Sequence, residues 1–183
     1  MPSPLKAALL VLAGLCLGVS RAGALYDPKP MPALAACEGA WVGTLEYKDY
    51  SQPDRRVTLP TRLSATLAAS NALALHYVFD DGPGKVVHSY ERLEINLDAR
   101  SVTWSGTTPS DTQVCTLESS EETGGGLVVV ALWRNPAKPG SFERYRIALG
   151  EDAIEISKED GGDPAALSFR DRYVFRRPQA PRG

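Results

Sequence analysis

Apolar and polar residues alternate in short runs along most of the chain after residue 40. The first run, 41–50, sets Trp41, Leu45 and Tyr47 on one face against Thr44 and Glu46 on the other. Similar runs follow at 57–67, 72–80, 86–97, 101–105, 113–118, 127–134, 142–149, 153–157 and 167–176. A period of two residues, interrupted by Gly, Pro, Asn and Asp, is typical of β-strands that bury one face. The pattern therefore predicts about ten strands joined by hairpin connections.

No helical period of useful length interrupts this series, so the predicted fold class is all-β. An up-and-down antiparallel β-barrel of about 8–10 strands is the expected architecture, because closure removes the unpaired edges of a long meander. A two-sheet β-sandwich is the alternative. Pro60, inside the second run, indicates an edge position or a bulge, since proline cannot donate to a strand ladder.

The first 24 residues predict a bacterial signal peptide. Lys6 precedes an apolar run, 7–19, and the small residues 22–24 form a cleavage site of the A-x-A kind. The run is shorter than the roughly 20 residues that span a bilayer, so no membrane anchor is expected after cleavage. The predicted organisation is a signal peptide (1–24), an extended leader with room for one helical turn before Cys37 (25–36), one barrel domain (37–177) and a disordered tail (178–183). We expect the protein to be periplasmic or secreted.

The net charge of the predicted mature chain limits which kinds of binding partner are expected. Removing Lys6 and Arg21 with the signal peptide leaves 18 basic and 22 acidic residues, a net charge of −4. This mild acidity argues against nucleic acid or an anionic membrane surface as the partner. A small hydrophobic ligand or an envelope protein is expected instead, bound by a monomer.

Two cysteines remain after cleavage, Cys37 and Cys115. A pair of cysteines in an oxidising compartment predicts one disulfide. The alternative is two separate buried thiols.

The opening of the first strand, Gly39-Ala40-Trp41, resembles the Gly-x-Trp motif of the calycin superfamily, which includes lipocalins and avidins. This resemblance implies a barrel whose tryptophan closes one end, with an arginine from the last strand packed across it. The candidate arginines are Arg170, Arg172, Arg176 and Arg177. Alternatively, Trp41 is a core aromatic of another β-fold.

Alternation also predicts which side chains line the interior of the barrel. The aromatic candidates for a ligand-binding wall are Trp41, Tyr77, Phe79, Trp104, Trp133 and Tyr173. The same face carries Leu45, Tyr47, Leu59, Leu63, Leu75, Tyr145, Ile147, Phe169 and Phe175. Its polar members are Thr61, Ser89, Glu91 and Asp171.

Glu91 and Asp171 are the candidate polar handles for a ligand. A carboxylate in an apolar interior must be paired, hydrogen-bonded, protonated or solvated. The alternative is that one of them meets an arginine or a water near the barrel mouth. A β-bulge would reverse the inward and outward assignment of its strand.

The histidines suggest neither a metal nor haem. Pairing around a turn at Gly82 predicts that His76 and His88 are direct cross-strand neighbours on the outer face. A zinc site needs a third or fourth ligand, so no metal is expected.

No catalytic or cofactor-binding motif is present, so we expect a protein that is not an enzyme and has no cofactor. The predicted function is that of an exported barrel binding a small apolar or amphipathic ligand in its lumen. The alternatives are a structural envelope protein or an envelope interaction module, such as an inhibitor of a secreted hydrolase. Some bacterial protease inhibitors resemble this plan, and their N-terminal segment enters the cleft of the target.

Overall fold

The structure is a computed structural model that describes residues 29–49, 51–52 and 54–179. The predicted signal peptide, residues 25–28 of the leader and residues 180–183 of the tail lie outside the described residues. Within the described part, no helix is long and apolar enough to cross a membrane.

Ten antiparallel strands close into a single barrel, in which each strand pairs with the next and β1 pairs with β10. This confirms the predicted up-and-down barrel and rules out the sandwich. The strands are β1 Gly39–Lys48, β2 Arg56–Ala69, β3 Ala72–Asp80, β4 Val86–Asn96, β5 Ser101–Ser105, β6 Gln113–Thr123, β7 Gly126–Arg134, β8 Phe142–Leu149, β9 Ala153–Gly161 and β10 Ser168–Arg176. A short α-helix, α1 Pro32–Ala36, precedes β1, and a 3₁₀ turn, Pro109–Asp111, precedes β6.

Pro60 lies at a local edge position and not in a bulge. It lies opposite Thr44 in the β1–β2 ladder, whereas the pairing of β2 with β3 begins one residue later, at Thr61. The missing N–H of the proline therefore falls where β2 has a partner on one side only.

Closure between β1 and β10 depends on a glycine. A Cβ atom at Gly43 would lie 1.9 Å from the carbonyl oxygen of Val174 on β10. No side chain fits at that distance, so the two strands approach this closely only because position 43 has none.

The core fills the half of the barrel in which β1 begins. Leu34 of α1 is completely buried and covers this end. Inside it pack fully buried side chains from almost every strand, among them Leu73, Leu93, Ile95, Val129, Ile147, Ile154 and Phe175. This half of the lumen is therefore filled by the chain itself.

One predicted inward residue points outward. β10 carries a bulge at Arg170, so Phe169 pairs with outward-facing Glu159, whereas Asp171 pairs with inward-facing Lys158. The guanidinium of Arg56 lies 3.8 Å from the centre of the Phe169 ring on the outer surface. The inward assignment of Phe169 was wrong because an extra residue shifts the alternation by one.

The predicted disulfide is not formed. Cys37 and Cys115 are both free and buried, as in the alternative of two separate thiols. The Cys37 thiol points to the carbonyl of Gly150 at the closed end, whereas Cys115 pairs with Val102 in the β5–β6 ladder. Burial raises the pKa of Cys37 to about 11 and that of Cys115 to about 12.

The predicted register of the two histidines was wrong by two residues. Tyr90 opposes His76, and His88 opposes Val78, because five residues rather than three separate the paired ends of β3 and β4. The histidines are diagonal neighbours on the outer face, with Nε2 of His76 2.9 Å from Nδ1 of His88. The ring of Tyr90 stacks on that of His76 at 4.3 Å.

Candidate ligand-binding site

The end of the barrel at which β1 begins is sealed by Trp41 and Arg177. The Trp41 indole N–H donates to the carbonyl of Cys37 (2.9 Å), and the Arg177 guanidinium lies 3.8 Å from the centre of the Trp41 ring. Arg177 also donates to three backbone carbonyls, those of Ala36, Glu38 and Glu151, at 2.6–3.1 Å. Of the four candidate arginines, Arg177 is therefore the one that packs across the tryptophan.

The opposite end holds two neighbouring cavities that share Asp171 and Tyr173. The first, which we call the apolar cavity, has a volume of about 280 Å³. It is lined by Leu45, Tyr47, Leu59, Phe79, Asp81, Val87, Asp171 and Tyr173.

The second, which we call the polar cavity, has a volume of about 330 Å³. Its lining includes the charged or polar side chains of Glu91, Asp111, Gln113, Lys158 and Asp171, together with Trp104, Tyr145 and Tyr173. Each cavity is close to the lower end of the roughly 300–1,000 Å³ typical of small-molecule sites.

Aromatic rings form the walls on both sides. Trp104 and Tyr145 stack with their centroids 6.1 Å apart in the polar cavity. Tyr77 stacks on Phe79 at 5.9 Å and meets Tyr173 at 5.4 Å beside the apolar cavity. Such aromatic pairs contribute about 0.5–1.5 kcal/mol beyond the burial of their area, so they stabilise the walls of the two cavities.

Glu91 is held by two neutral donors. Its oxygens accept hydrogen bonds from the Ser89 hydroxyl at 2.9 Å and from the Trp104 indole N–H at 2.5 Å. These bonds orient the carboxylate and fix the indole ring at the cavity wall.

Asp171 and Glu143 share Lys158. The Lys158 Nζ lies 3.7 Å from Asp171 Oδ2 and 3.6 Å from Glu143 Oε2. Burial raises the pKa of Asp171, and the positive charges of Lys158 and Arg170 offset this only in part. The carboxylate is therefore less well stabilised here than in water.

Tyr145 joins β8 to this group. Its hydroxyl donates to Glu143 Oε2 at 2.6 Å, and the Gln113 side-chain oxygen lies 2.7 Å from the same hydroxyl. Burial and the Glu143 carboxylate raise the pKa of Tyr145 far above its usual value, so the phenol stays protonated.

The Tyr77 hydroxyl is the exception to this hydrogen bonding. The side chain is 1% exposed, and its oxygen has no hydrogen-bond partner within the described part of the chain. Burial raises its pKa well above the usual value, and the charges of Glu91 and Asp171 act in the same direction. Two carboxylates that line the polar cavity therefore act electrostatically on this hydroxyl.

The structure separates the predicted site residues into three groups. Glu91, Phe79, Trp104, Asp171 and Tyr173 line the two cavities, and Tyr77 packs behind them. Trp41 lies at the sealed end. Trp133 packs against the core but is not among the residues lining either cavity.

Sequence reasoning missed Gln113, Glu143 and Lys158. Gln113 and Glu143 have the same inward parity as Cys115 and Tyr145, so the alternation alone could have found them. Lys158 was missed because β9 was expected to end at 157, whereas it continues to 161.

No group of three or more His, Cys, Asp or Glu side chains within residues 29–49, 51–52 and 54–179 is arranged to hold a metal ion.

The closed ten-stranded barrel, sealed at one end and open at the other, is consistent with the calycin-like fold class. No protein-family model matches the chain, and no curated protein matches it. Among solved structures, the chain is similar to Rv2717c from M. tuberculosis, with 15% identity, a TM-score of 0.56, and coverage of 82% of this chain and 100% of that one. It is also similar to the S-type phycobiliprotein lyase CPES from Guillardia theta, with 9% identity, a TM-score of 0.51, and coverage of 80% and 91%. At these identities the likeness shows the fold alone.

Proposed function

We propose that this protein binds a small amphipathic molecule at the open end of its barrel. The observation that carries the proposal is the pair of cavities meeting at Asp171 and Tyr173, one lined mainly by apolar side chains and the other by charged and polar ones. A molecule with an apolar body and a polar end fits both. The concave, largely preformed shape with a few oriented polar groups is typical of small-molecule sites.

Binding without catalysis is part of this proposal. The polar groups of the site are held mainly by one another: Glu91 by Ser89 and Trp104, and Glu143 by Tyr145. Such contacts orient a ligand, and we assign no nucleophile or general base to them.

The rival role as an interaction module relies on a free N-terminal segment. In the structure α1, at the end of that segment, is packed into the barrel: Leu34 is fully buried and the Met31 N–H donates to the carbonyl of Ser70 at 2.7 Å. Residues 32–36 are thus used to close the barrel, which favours the ligand-binding role.

Export remains part of the proposal and rests on the pattern of residues 1–24. N-terminal sequencing of the protein purified from its own host tests it. A mature chain that begins near residue 25 would support export, and a chain that retains residues 1–24 would contradict it.

The binding site is tested with naphthylethanol, a neutral amphipath, by isothermal titration calorimetry. Leu59→Trp fills the apolar cavity and should abolish binding, whereas Thr58→Trp, the next residue on the outer face, should not. Leu45→Trp, opposite Leu59 in the β1–β2 ladder, is a second blocking variant. Binding that survives both blocking variants in folded protein would place the ligand elsewhere and refute the proposal.

A further inference from the structure

The polar cavity carries more negative than positive charge. Glu91, Asp111 and Asp171 line it, and Lys158 is the one basic side chain in its described lining. Glu143, in contact with Lys158, adds another carboxylate beside the cavity. A single ammonium group therefore faces several carboxylates.

Lys158 neutralises its two partners incompletely. Its distances of 3.6 Å to Glu143 and 3.7 Å to Asp171 exceed the roughly 2.7–2.9 Å of a charge-assisted hydrogen bond. The Asp171 side chain is only 18% exposed, so water solvates it poorly. A second cation in the cavity would stabilise the ionised form of the Asp171 carboxylate.

Glu91 has no cationic partner within the described part of the chain. Both of its oxygens accept from neutral groups, the Ser89 hydroxyl and the Trp104 indole. These donors hold the carboxylate at the wall but leave its charge uncompensated.

Tyr77 packs behind the lining of the polar cavity. Its hydroxyl is buried without a partner, which is unfavourable for the empty protein, and it lies within electrostatic reach of Glu91 and Asp171.

The aromatic walls also suit a cation. Trp104, Tyr145 and Tyr173 line the polar cavity, and the faces of such rings attract positive charge. Lys158 Nζ already lies 5.8 Å from the centre of the Tyr145 ring.

We propose that the polar end of the ligand is a cation: the protein binds an organic ammonium whose charged group lies between Glu91 and Asp171, with its apolar body in the apolar cavity. This inference rests on the proposed function and specifies the ligand class of the same site. A neutral amphipath would leave the carboxylates uncompensated, and an anionic one would be repelled by them.

Three probes with one apolar body test the proposal: naphthylethylammonium, naphthylethanol and naphthylacetate, each titrated calorimetrically into the full-length protein at neutral pH. The ammonium should bind at least about tenfold more tightly than the alcohol, the advantage expected of one hydrogen bond to a charged group. The acetate should bind most weakly.

Charge-removing variants locate the effect. Glu91→Gln and Asp171→Asn preserve side-chain size and should each weaken ammonium binding several-fold while changing alcohol binding little. Glu94→Gln, on the outer face beside Arg92, is the matched control and should change neither. Circular dichroism verifies that each variant is folded.

The outcomes separate the two proposals. Equal affinity for ammonium and alcohol, or tighter binding of the acetate, would overturn the cation assignment. If alcohol binding were still abolished by Leu59→Trp, the proposed function would stand. Binding of none of the three probes would overturn both.

Discussion

Replacing Tyr77 by Phe tests the reasoning about the site most sharply, because stability should rise whereas ligand binding should stay unchanged. The substitution removes one oxygen from a side chain that is 1% exposed and leaves the ring contacts with Phe79 and Tyr173 in place. That oxygen has no hydrogen-bond partner within the described residues.

The magnitude follows from the cost of burying an unpaired hydroxyl, about 1–3 kcal/mol. Phe carries no such group, so the ligand-free Tyr77→Phe protein should be more stable by up to that amount. For a domain of 150–250 residues, 1 kcal/mol shifts the midpoint of thermal unfolding by about 2–4 °C. An increase of several degrees is therefore expected.

Urea unfolding followed by circular dichroism measures the effect. The midpoint should rise without a change in the slope m, since the surface exposed on unfolding is almost the same. Tyr90→Phe is the matched control, because Tyr90 is 54% exposed on the outer face. Its effect should stay within about 0.5 kcal/mol.

The second measurement is the affinity for naphthylethylammonium. Tyr77 does not line either cavity, so Tyr77→Phe should leave this affinity unchanged while stability rises. A loss of stability of more than about 1 kcal/mol would show that the hydroxyl has a partner in the ligand-free protein, and would refute the reasoning.

Four further predictions concern the frame of the barrel and its charges. Arg177→Ala removes hydrogen bonds to three backbone carbonyls and the contact with the Trp41 indole. It should lower the free energy of unfolding in urea by on the order of 3 kcal/mol. Arg176→Ala, at an exposed position, should lower it by less than about 0.5 kcal/mol. Gly43→Ala places a Cβ against the backbone of β10 and should yield little folded protein by circular dichroism, whereas Gly150→Ala, with its nearest contact at 3.6 Å, should fold normally. The raised pKa of Asp171 means that the folded state binds the proton of this group more tightly than the unfolded state does. Ionised Asp171 therefore destabilises the fold as the pH rises above about 4. Asp171→Asn should be more stable than wild type to urea unfolding at pH 7 and equal to it in acid. The two free cysteines should resist alkylation at pH 8 in the folded protein and react fully in denaturant without a reductant, and a requirement for reductant would show that they are bridged.

The local pattern of the chain determined the number and nature of the strands. Alternation with a period of two is a property of each strand alone, so ten runs of residues predicted ten strands and the inward placement of Tyr77, Glu91 and Asp171. The same rule places Glu143 inside, and it would have placed Lys158 inside if β9 had been followed to its true end at 161.

Only the tertiary structure decided how the strands align and what meets across the lumen. Register depends on turn length and bulges, and one extra residue at Arg170 sends Phe169 to the outer face. The turn between β3 and β4 likewise sets His76 opposite Tyr90.

The positions of the charged side chains in the site also depend on the tertiary structure. Lys158 lies opposite Asp171 in the β9–β10 ladder and diagonal to Glu143 across the β8–β9 pair, so the register of these three strands brings the charges together. Closure of the barrel between β1 and β10 sets Arg177 against Trp41. A pattern along one strand carries its own inward and outward faces, but a contact across the lumen depends on the register of every strand between the two residues.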